Sequence, residues 1–299
     1  MAHAPHTAID DLRADLAAIC AVVDLDPRGA ILIKYTNNAV WQLATAPMVV
    51  RIGMGAVGRF RAPRVTAIAR WLTDHDAPIP HLVPGIDQPI LTADTAATIW
   101  QTLARPERAW EPTDLAEPLR TLHALDAGTA PDQLPRWNPF DAAARRLGDA
   151  DPALPADDLD WLREQWATVE ARYRRLPALP RGVVHGDAHT GNLLRDHDGR
   201  VVLCDLDSAG HGPLAWDLAT NAVDARRFGR PDDHTRLAHA YGQDITTSPA
   251  WPVLRRIREL ILVTSVIPDL TSRPGVATEH ARRLRALRTH DSIVWQPYN

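Results

Sequence analysis

Apolar residues recur at Ile9, Leu12, Leu16, Ile19 and Val23, the spacing of one helix face, so residues 9–23 are predicted helical. From residue 30 the pattern shortens. Residues 30–44 read as two strands about Thr36, Asn37 and Asn38, since asparagine accepts the turn conformations that strands reject, and residues 47–53 read as a third strand. Val65, Ile68, Ala69 and Leu72 place a helix over 64–73, closed by the turn-rich stretch 74–84. Residues 88–103 read as a hairpin turning at Ala93-Asp94, residues 104–113 as a proline-containing linker, and residues 114–125 as a helix with Leu115, Leu119 and Leu122 inward. Leu159, Leu162, Trp166, Val169 and Tyr173 mark a long amphipathic helix whose aromatic residues belong to a core. Val183 and Val184 end a buried strand, residues 185–192 form a polar loop, residues 193–195 are extended, and Asp198-Gly199 is a two-residue hairpin turn that sends residues 201–204 back. Beyond Asp217 the spacing is helical over 237–241, 253–266 and 280–289, with Pro231, Pro249, Pro252 and Pro274 in the intervening loops. Strands concentrated early and helices late indicate an α+β class.

Composition narrows this picture. A chain of 299 residues buries roughly three quarters of its unfolded surface, so the size of the core is no limit. The net charge of -4, with 23% charged residues, argues against a nucleic-acid partner. Only Cys20 and Cys204 are present, so no disulfide framework is implied, and no apolar run reaches membrane-spanning length; the expectation is a cytoplasmic protein. Lys34 is the sole lysine among 33 basic residues, a bias attributed to genome composition.

The candidate chemistry lies in residues 183–205. The hairpin is expected to bring Asp187, Asn192 and Asp205 together; two carboxylates and an amide oxygen suit a hard cation such as Mg2+, with one carboxylate spared to orient an attacking hydroxyl. His185, Asp187 and His189 also permit a second reading, as three ligands of a transition metal in a hydrolase. Cys204, in an apolar run, reads as a small buried hydrophobe.

The run His185-Gly186-Asp187-Ala188-His189-Thr190-Gly191-Asn192, followed by a hairpin and Asp205, resembles the aminoglycoside phosphotransferase and choline kinase family. The resemblance implies a protein-kinase-like two-lobed fold, with a small β-rich nucleotide-binding lobe over 1–103 and a larger, mainly helical lobe over 104–299. It implies Asp187 as the catalytic carboxylate, Asn192 and Asp205 as Mg2+ ligands, His185 as a residue that holds the loop, and Asp217 as a brace of that loop. In the first lobe it implies Arg51 at the phosphates of ATP or GTP, Asn38 in the nucleotide-binding hairpin, and backbone contacts from Gln101 to Leu103 with the base. The activity implied is transfer of a phosphoryl group to a hydroxyl of a small molecule, an antibiotic or a metabolite.

Two features depart from that pattern. The family's small-lobe helix carries a glutamate that pairs with the basic residue of the third strand. Here that position is Val65, and no glutamate precedes Glu107, so Arg51 is expected to be unpaired, held by phosphate alone or part of an inactive, kinase-like nucleotide-binding protein. The acceptor region 210–299 carries twelve arginines against nine acids, which is unfavourable for a polycation. Its aromatic residues, Trp216, Phe228, Tyr241, Trp251, Trp295 and Tyr298, are expected to build an apolar acceptor pocket, and Asp232, Asp233, Glu259 and Asp269 to be solvated charges.

Overall fold

The computed structural model of the chain describes residues 6–35, 38–104, 108–132 and 134–298. In chain order its elements are α1 (His6–Val22), β1 (Ile31–Tyr35), β2 (Asn38–Gln42), β3 (Met48–Met54), α2 (Gly55–Asp74), β4 (Ile90–Leu91), β5 (Thr95–Gln101), α3 (Ala116–His123), α4 (Pro139–Gly148), α5 (Ala156–Tyr173), β6 (Arg181–Val184), β7 (Leu193–Arg195), β8 (Val201–Leu203), β9 (Gly210–Pro213), α6 (Ala215–Arg227), α7 (Pro231–Tyr241), α8 (Trp251–Thr264) and α9 (Pro274–Thr289). Two compact units follow from the contacts. The first comprises residues 1–110, 124–135 and 191–209, and the second comprises 111–123, 136–190 and 210–299. Thr36 and Asn37, expected at the first turn, lie outside the described residues.

The first unit is organised by an antiparallel five-stranded sheet of order β1-β2-β3-β5-β4. Strand side chains alternate between faces. Val50 and Ile52 of β3, with Trp41 and Ile99, pack under Leu12, Leu16 and Ile19 of α1 in one buried cluster. Leu16 is 1% exposed, and cutting it to alanine would cost about 2–5 kcal/mol. Val49 and Arg51 therefore take the opposite face, with Arg51 paired in register between Val40 and Thr98. Ile68, Ala69 and Leu72 of α2 are buried, as their spacing predicted, but the helix begins at Gly55 rather than near residue 64. Pro63 lies inside the helix and interrupts its hydrogen-bond ladder without ending it. The entry into α2 requires glycine, because a Cβ on Gly58 would stand 2.2 Å from the carbonyl carbon of Gly53.

The β7–β8 hairpin also belongs to this unit, with Leu193 opposite Leu203 and Arg195 opposite Val201. Its turn is wider than the two-residue one expected. The Asp196 amide donates to the Arg200 carbonyl at 3.0 Å, the Asp196 carboxylate accepts from the amides of Asp198 and Arg200, and Gly199 takes φ 86°. A three-residue loop with glycine in the left-handed region replaces the tight turn because Asp196 ties both ends.

The second unit is mainly helical around the pair β6–β9, in which Val184 faces Gly210. Leu162, Trp166 and Val169 of α5 are buried, and Phe140 of α4 meets Trp166 edge-on at 6.0 Å. Among the described residues no helix is long and apolar enough to cross a membrane.

Candidate active site

In the first unit, the sheet face that bears Arg51 opens into a cavity of about 310 Å³, within the usual range for a small-ligand site. Arg51, Asn38, Gln101, Leu103, Asn192 and Asp205 all line it, so the structure brings six sequence-selected residues to one place. Val40, Val49, Val65 and Trp100 supply its apolar walls. Leu103 is the available backbone donor at the rim. The amides of Gln101 and Thr102 donate to the carbonyls of His81 and Pro47, at 2.9 and 3.0 Å, while among the described residues that of Leu103 has no partner.

Asp205 leaves β8 at φ 67°, a left-handed conformation that non-glycine residues rarely hold and that costs about 1 kcal/mol or more. Its side chain is 37% exposed, and the Cys204 amide beside it donates to the Asn192 carbonyl at 2.9 Å, which ties the two cavity-lining residues together. One exposed carboxylate with an amide side chain across a hairpin fits a Mg2+ ion that takes its other oxygens from phosphate and water. Burial, and then the charge of Asp205, pushes the Cys204 thiol up to about 11, so it is no nucleophile near neutrality.

Arg51 is not unpaired. Its Nη2 donates to Asp207 Oδ2 at 2.6 Å and lies 3.4 Å from Asp205 Oδ1, so two carboxylates of one turn pair with it. The sequence reading missed Asp207 because nothing local distinguished it from a solvated turn residue. Lys34 also lines the cavity.

In the second unit the structure shows how Asp187 is held. Asp217, fully buried in the first turn of α6, accepts from the amides of His185 and Gly186 at 2.8 Å each and meets His123 Nε2 at 3.1 Å. His123 Nδ1 in turn meets the Tyr241 hydroxyl at 2.7 Å. Trp216 Nε1 donates to the Gly186 carbonyl and Asn221 Nδ2 to the Ala188 carbonyl, both at 2.8 Å. The loop thus hangs from one helix by its backbone, and the Asp187 amide donates to His185 Nδ1 at 3.4 Å.

The Asp187 side chain, 40% exposed, accepts from Arg258 Nη1 at 2.9 Å. Arg258 lies on α8, 8% exposed, and its Nε and Nη2 grip both oxygens of Asp224 at 3.1 and 2.9 Å. Burial alone would push the Asp187 carboxyl up; Arg258 first, then His189 and His185, outweigh it and hold the group below the ordinary carboxylate range. Burial lowers His189 despite the Asp187 charge. Among the described residues no group of three or more His, Cys, Asp or Glu side chains converges as a metal site, so the transition-metal reading lacks its donor set.

The model of the phosphotransferase enzyme family matches residues 31–259, about three quarters of the chain. The chain belongs to that family. Among curated proteins, none matches the sequence significantly. Solved structures similar to this phosphotransferase include a choline/ethanolamine kinase family protein from Mesorhizobium loti, with 20% identity, 93% of this chain and 94% of that one covered, and a TM-score of 0.63. They also include the microcompartment-associated aminopropanol kinase, with 16% identity, 93% and 99% covered, and a TM-score of 0.65. The GDP and kanamycin complex of APH(2″)-IIia is similar at 12% identity, 93% and 99% covered, and a TM-score of 0.64. The fold is therefore the kinase-like α+β fold of these structures, and the protein is a phosphotransferase-family enzyme.

Two expectations about residues 210–299 are overturned in part, for Trp216, Phe228, Trp295 and Tyr298 among the aromatic residues and for Glu259 among the acids, while Asp232 and Asp269 are exposed as expected. Trp216 and Trp295 are each 1% exposed and serve the core. Trp216 lies 4.8 Å from Trp137 with the rings tilted by 52°, while Phe228, Trp295 and Tyr298 surround the Arg283 guanidinium, with Tyr298 3.7 Å away. Glu259 is not a solvated charge: it is 3% exposed and accepts from Arg227 and Arg255. A guanidinium that must be buried recruits aromatic faces and carboxylates, which removes them from ligand binding.

Proposed function

We propose that this phosphotransferase moves the γ-phosphoryl group of ATP or GTP to a hydroxyl of a small molecule, with residues 1–103 contributing the nucleotide site and residues 104–299 the acceptor site. The observation that carries this reading is the cavity that collects Arg51, Asn192, Asp205 and the rim amide of Leu103. In this reading the amide of Leu103 and the carbonyl of Gln101 meet the base, Asn38 approaches the phosphates from β2, and Arg51 binds them directly. Mg2+, where bound, would be held by Asn192 and Asp205, and it supplies charge neutralisation of the phosphates.

Asp187 accepts a hydrogen bond from the acceptor hydroxyl and aims its oxygen at the phosphorus. As the new O–P bond forms and the bond to the nucleoside diphosphate breaks, the hydroxyl proton passes to the Asp187 carboxylate. A carboxylate held below its ordinary pKa is a weak base, so its main contribution is orientation, in keeping with a loose transition state that needs little proton abstraction. The Arg51–Asp207 pair weighs against an inactive-protein reading, because the basic residue has a carboxylate partner.

The acceptor is neutral, weakly charged or partly apolar rather than polycationic. Supporting this, Asp224, Glu259 and Glu279 of the second unit are engaged by arginines, and Asp244 by His234. A polycation would have to compete with these pairs. ADP release from Mg-ATP, measured with neutral hydroxylated compounds and with aminoglycosides at low and high salt, tests the reading. Turnover of the aminoglycosides alone, at micromolar KM and with strong salt sensitivity, overturns the acceptor assignment.

A further inference from the structure

The Asp205-Leu206-Asp207 turn does more than carry a candidate metal ligand. Leu206 is buried at 3% exposure, and the turn is closed by the Ala209 amide donating to the Leu206 carbonyl at 3.1 Å. With Leu206 as the anchor, the two flanking carboxylates both reach Arg51, at 2.6 Å from Asp207 and 3.4 Å from Asp205. Arg51 and Asp207 are only 16% and 15% exposed, so their pair is weakly screened by solvent. Asp207 Oδ2 also lies 3.4 Å from Asn38 Nδ2 and 3.8 Å from Arg61 Nη1. Among the described residues its other oxygen, Oδ1, is buried with no hydrogen-bond partner. The Asp207 carboxylate thus sits among two arginines and an amide, all of them donors facing a negative charge.

Helix α2 complements this arrangement. At position 65, where a glutamate would stand to hold the basic residue of β3, the helix has a valine, 3% exposed and lining the cavity. One turn earlier the helix supplies Arg61 instead. The charges are inverted relative to the expected pattern: the helix brings a cation and the turn after β8 brings the anion. Resting on the proposed function, we propose that Asp207 is the positioning residue for Arg51 in the nucleotide site, replacing the helix glutamate. Because Asp207 is two residues from Asp205, the phosphate-binding cation and the candidate metal ligand are set by one turn, and both members of the ion pair lie outside α2. Arg51 thereby keeps a fixed geometry toward the incoming phosphates.

The test is Mg-ATP affinity by calorimetry, together with slow ATP hydrolysis, for the wild type, Asp207→Asn, Asp207→Glu and the double variant Val65→Glu/Asp207→Asn. Asp207→Asn is isosteric and should fold. It is expected to raise the Kd for Mg-ATP about tenfold or more, the scale of a lost charge-assisted hydrogen bond, and to lower hydrolysis. Asp207→Glu is expected to keep most of the affinity, and restoring a carboxylate on α2 in the double variant to recover about threefold or more. The loss must be the same at low and high Mg2+. Affinity of Asp207→Asn within about twofold of wild type overturns the proposal, and so does a loss that disappears on raising Mg2+, which would make Asp207 a metal ligand instead. A wild type that binds no Mg-ATP overturns the functional reading beneath it, a result distinct from an indifferent Asp207→Asn.

Discussion

The cavity of the first unit and the charged cage around Asp187 in the second meet opposite demands. The cavity keeps open space beside a cation: Arg51 is gripped on one side by the Asp205-Leu206-Asp207 turn, and apolar walls from Val40, Val49 and Val65 leave room for a ligand. The cage is filled. Asp187 is gripped by Arg258, Arg258 by Asp224, and the loop backbone by Asp217, so one carboxylate presents a partly exposed face from a tied frame. A site for a flexible polyanion needs room and a preset cation, whereas a site that aims one hydroxyl needs a single oxygen with few alternatives.

The largest expected effect separates these roles. Asp187→Asn should slow phosphoryl transfer by about 10²- to 10⁴-fold while leaving Mg-ATP affinity within about twofold, because the residue belongs to the cage and not to the cavity. Normal turnover in this variant would remove Asp187 from the chemistry. Next comes the cage itself. Arg258→Met leaves Asp187 and Asp224 without their buried cation and should cost about 3–5 kcal/mol of stability by denaturant titration. It should also move the pH profile. In the wild type the folded Asp187 carboxyl lies below its unfolded value, so its contribution to stability is present above the unfolded pKa and disappears as pH falls through the folded one; any acid limb from this group is expected below the ordinary carboxylate range. Without Arg258, burial prevails and the limb should rise. An unchanged pH–rate profile in Arg258→Met would show that the arginine does not govern this carboxylate.

The smallest effect concerns Cys204, beside the cavity. With its thiol pushed up to about 11, alkylation by iodoacetamide should be slow at neutral pH and should accelerate with pH until well above 10. Mg-ATP should slow the reaction further. Rapid labelling near pH 7 would mean that the environment of Asp205 differs from the one described.

Local patterns in the sequence foretold what local physics decides. The β7–β8 hairpin, the strands around Arg51 and the helix carrying Trp166 all followed from alternation, helical spacing and turn residues. Helix α4 could have been read, since Asn138 caps it through the amides of Phe140 and Asp141 with Pro139 at its first position. Strand β9 could not: Gly210, His211, Gly212 and Pro213 have no strand preference, and only pairing with β6 extends them. The same holds for the site. The His-Gly-Asp loop and Asp217 were legible as a motif. Arg258 and Asp224 were not, because a buried arginine that crosses 71 positions to Asp187 leaves no periodic trace. Asp207 was hidden for a related reason, since its meaning comes from Arg51, 156 positions away.

The central claim, that Mg-nucleotide sits in the first unit's cavity on Asp205 and Arg51, is tested most directly by calorimetric titration of Mg-ATP into the wild type and Asp205→Ala. The account predicts saturable one-to-one binding to the wild type that requires Mg2+ and is lost in Asp205→Ala. Equal affinity in the two proteins, or no binding to the wild type at millimolar Mg-ATP, would contradict it.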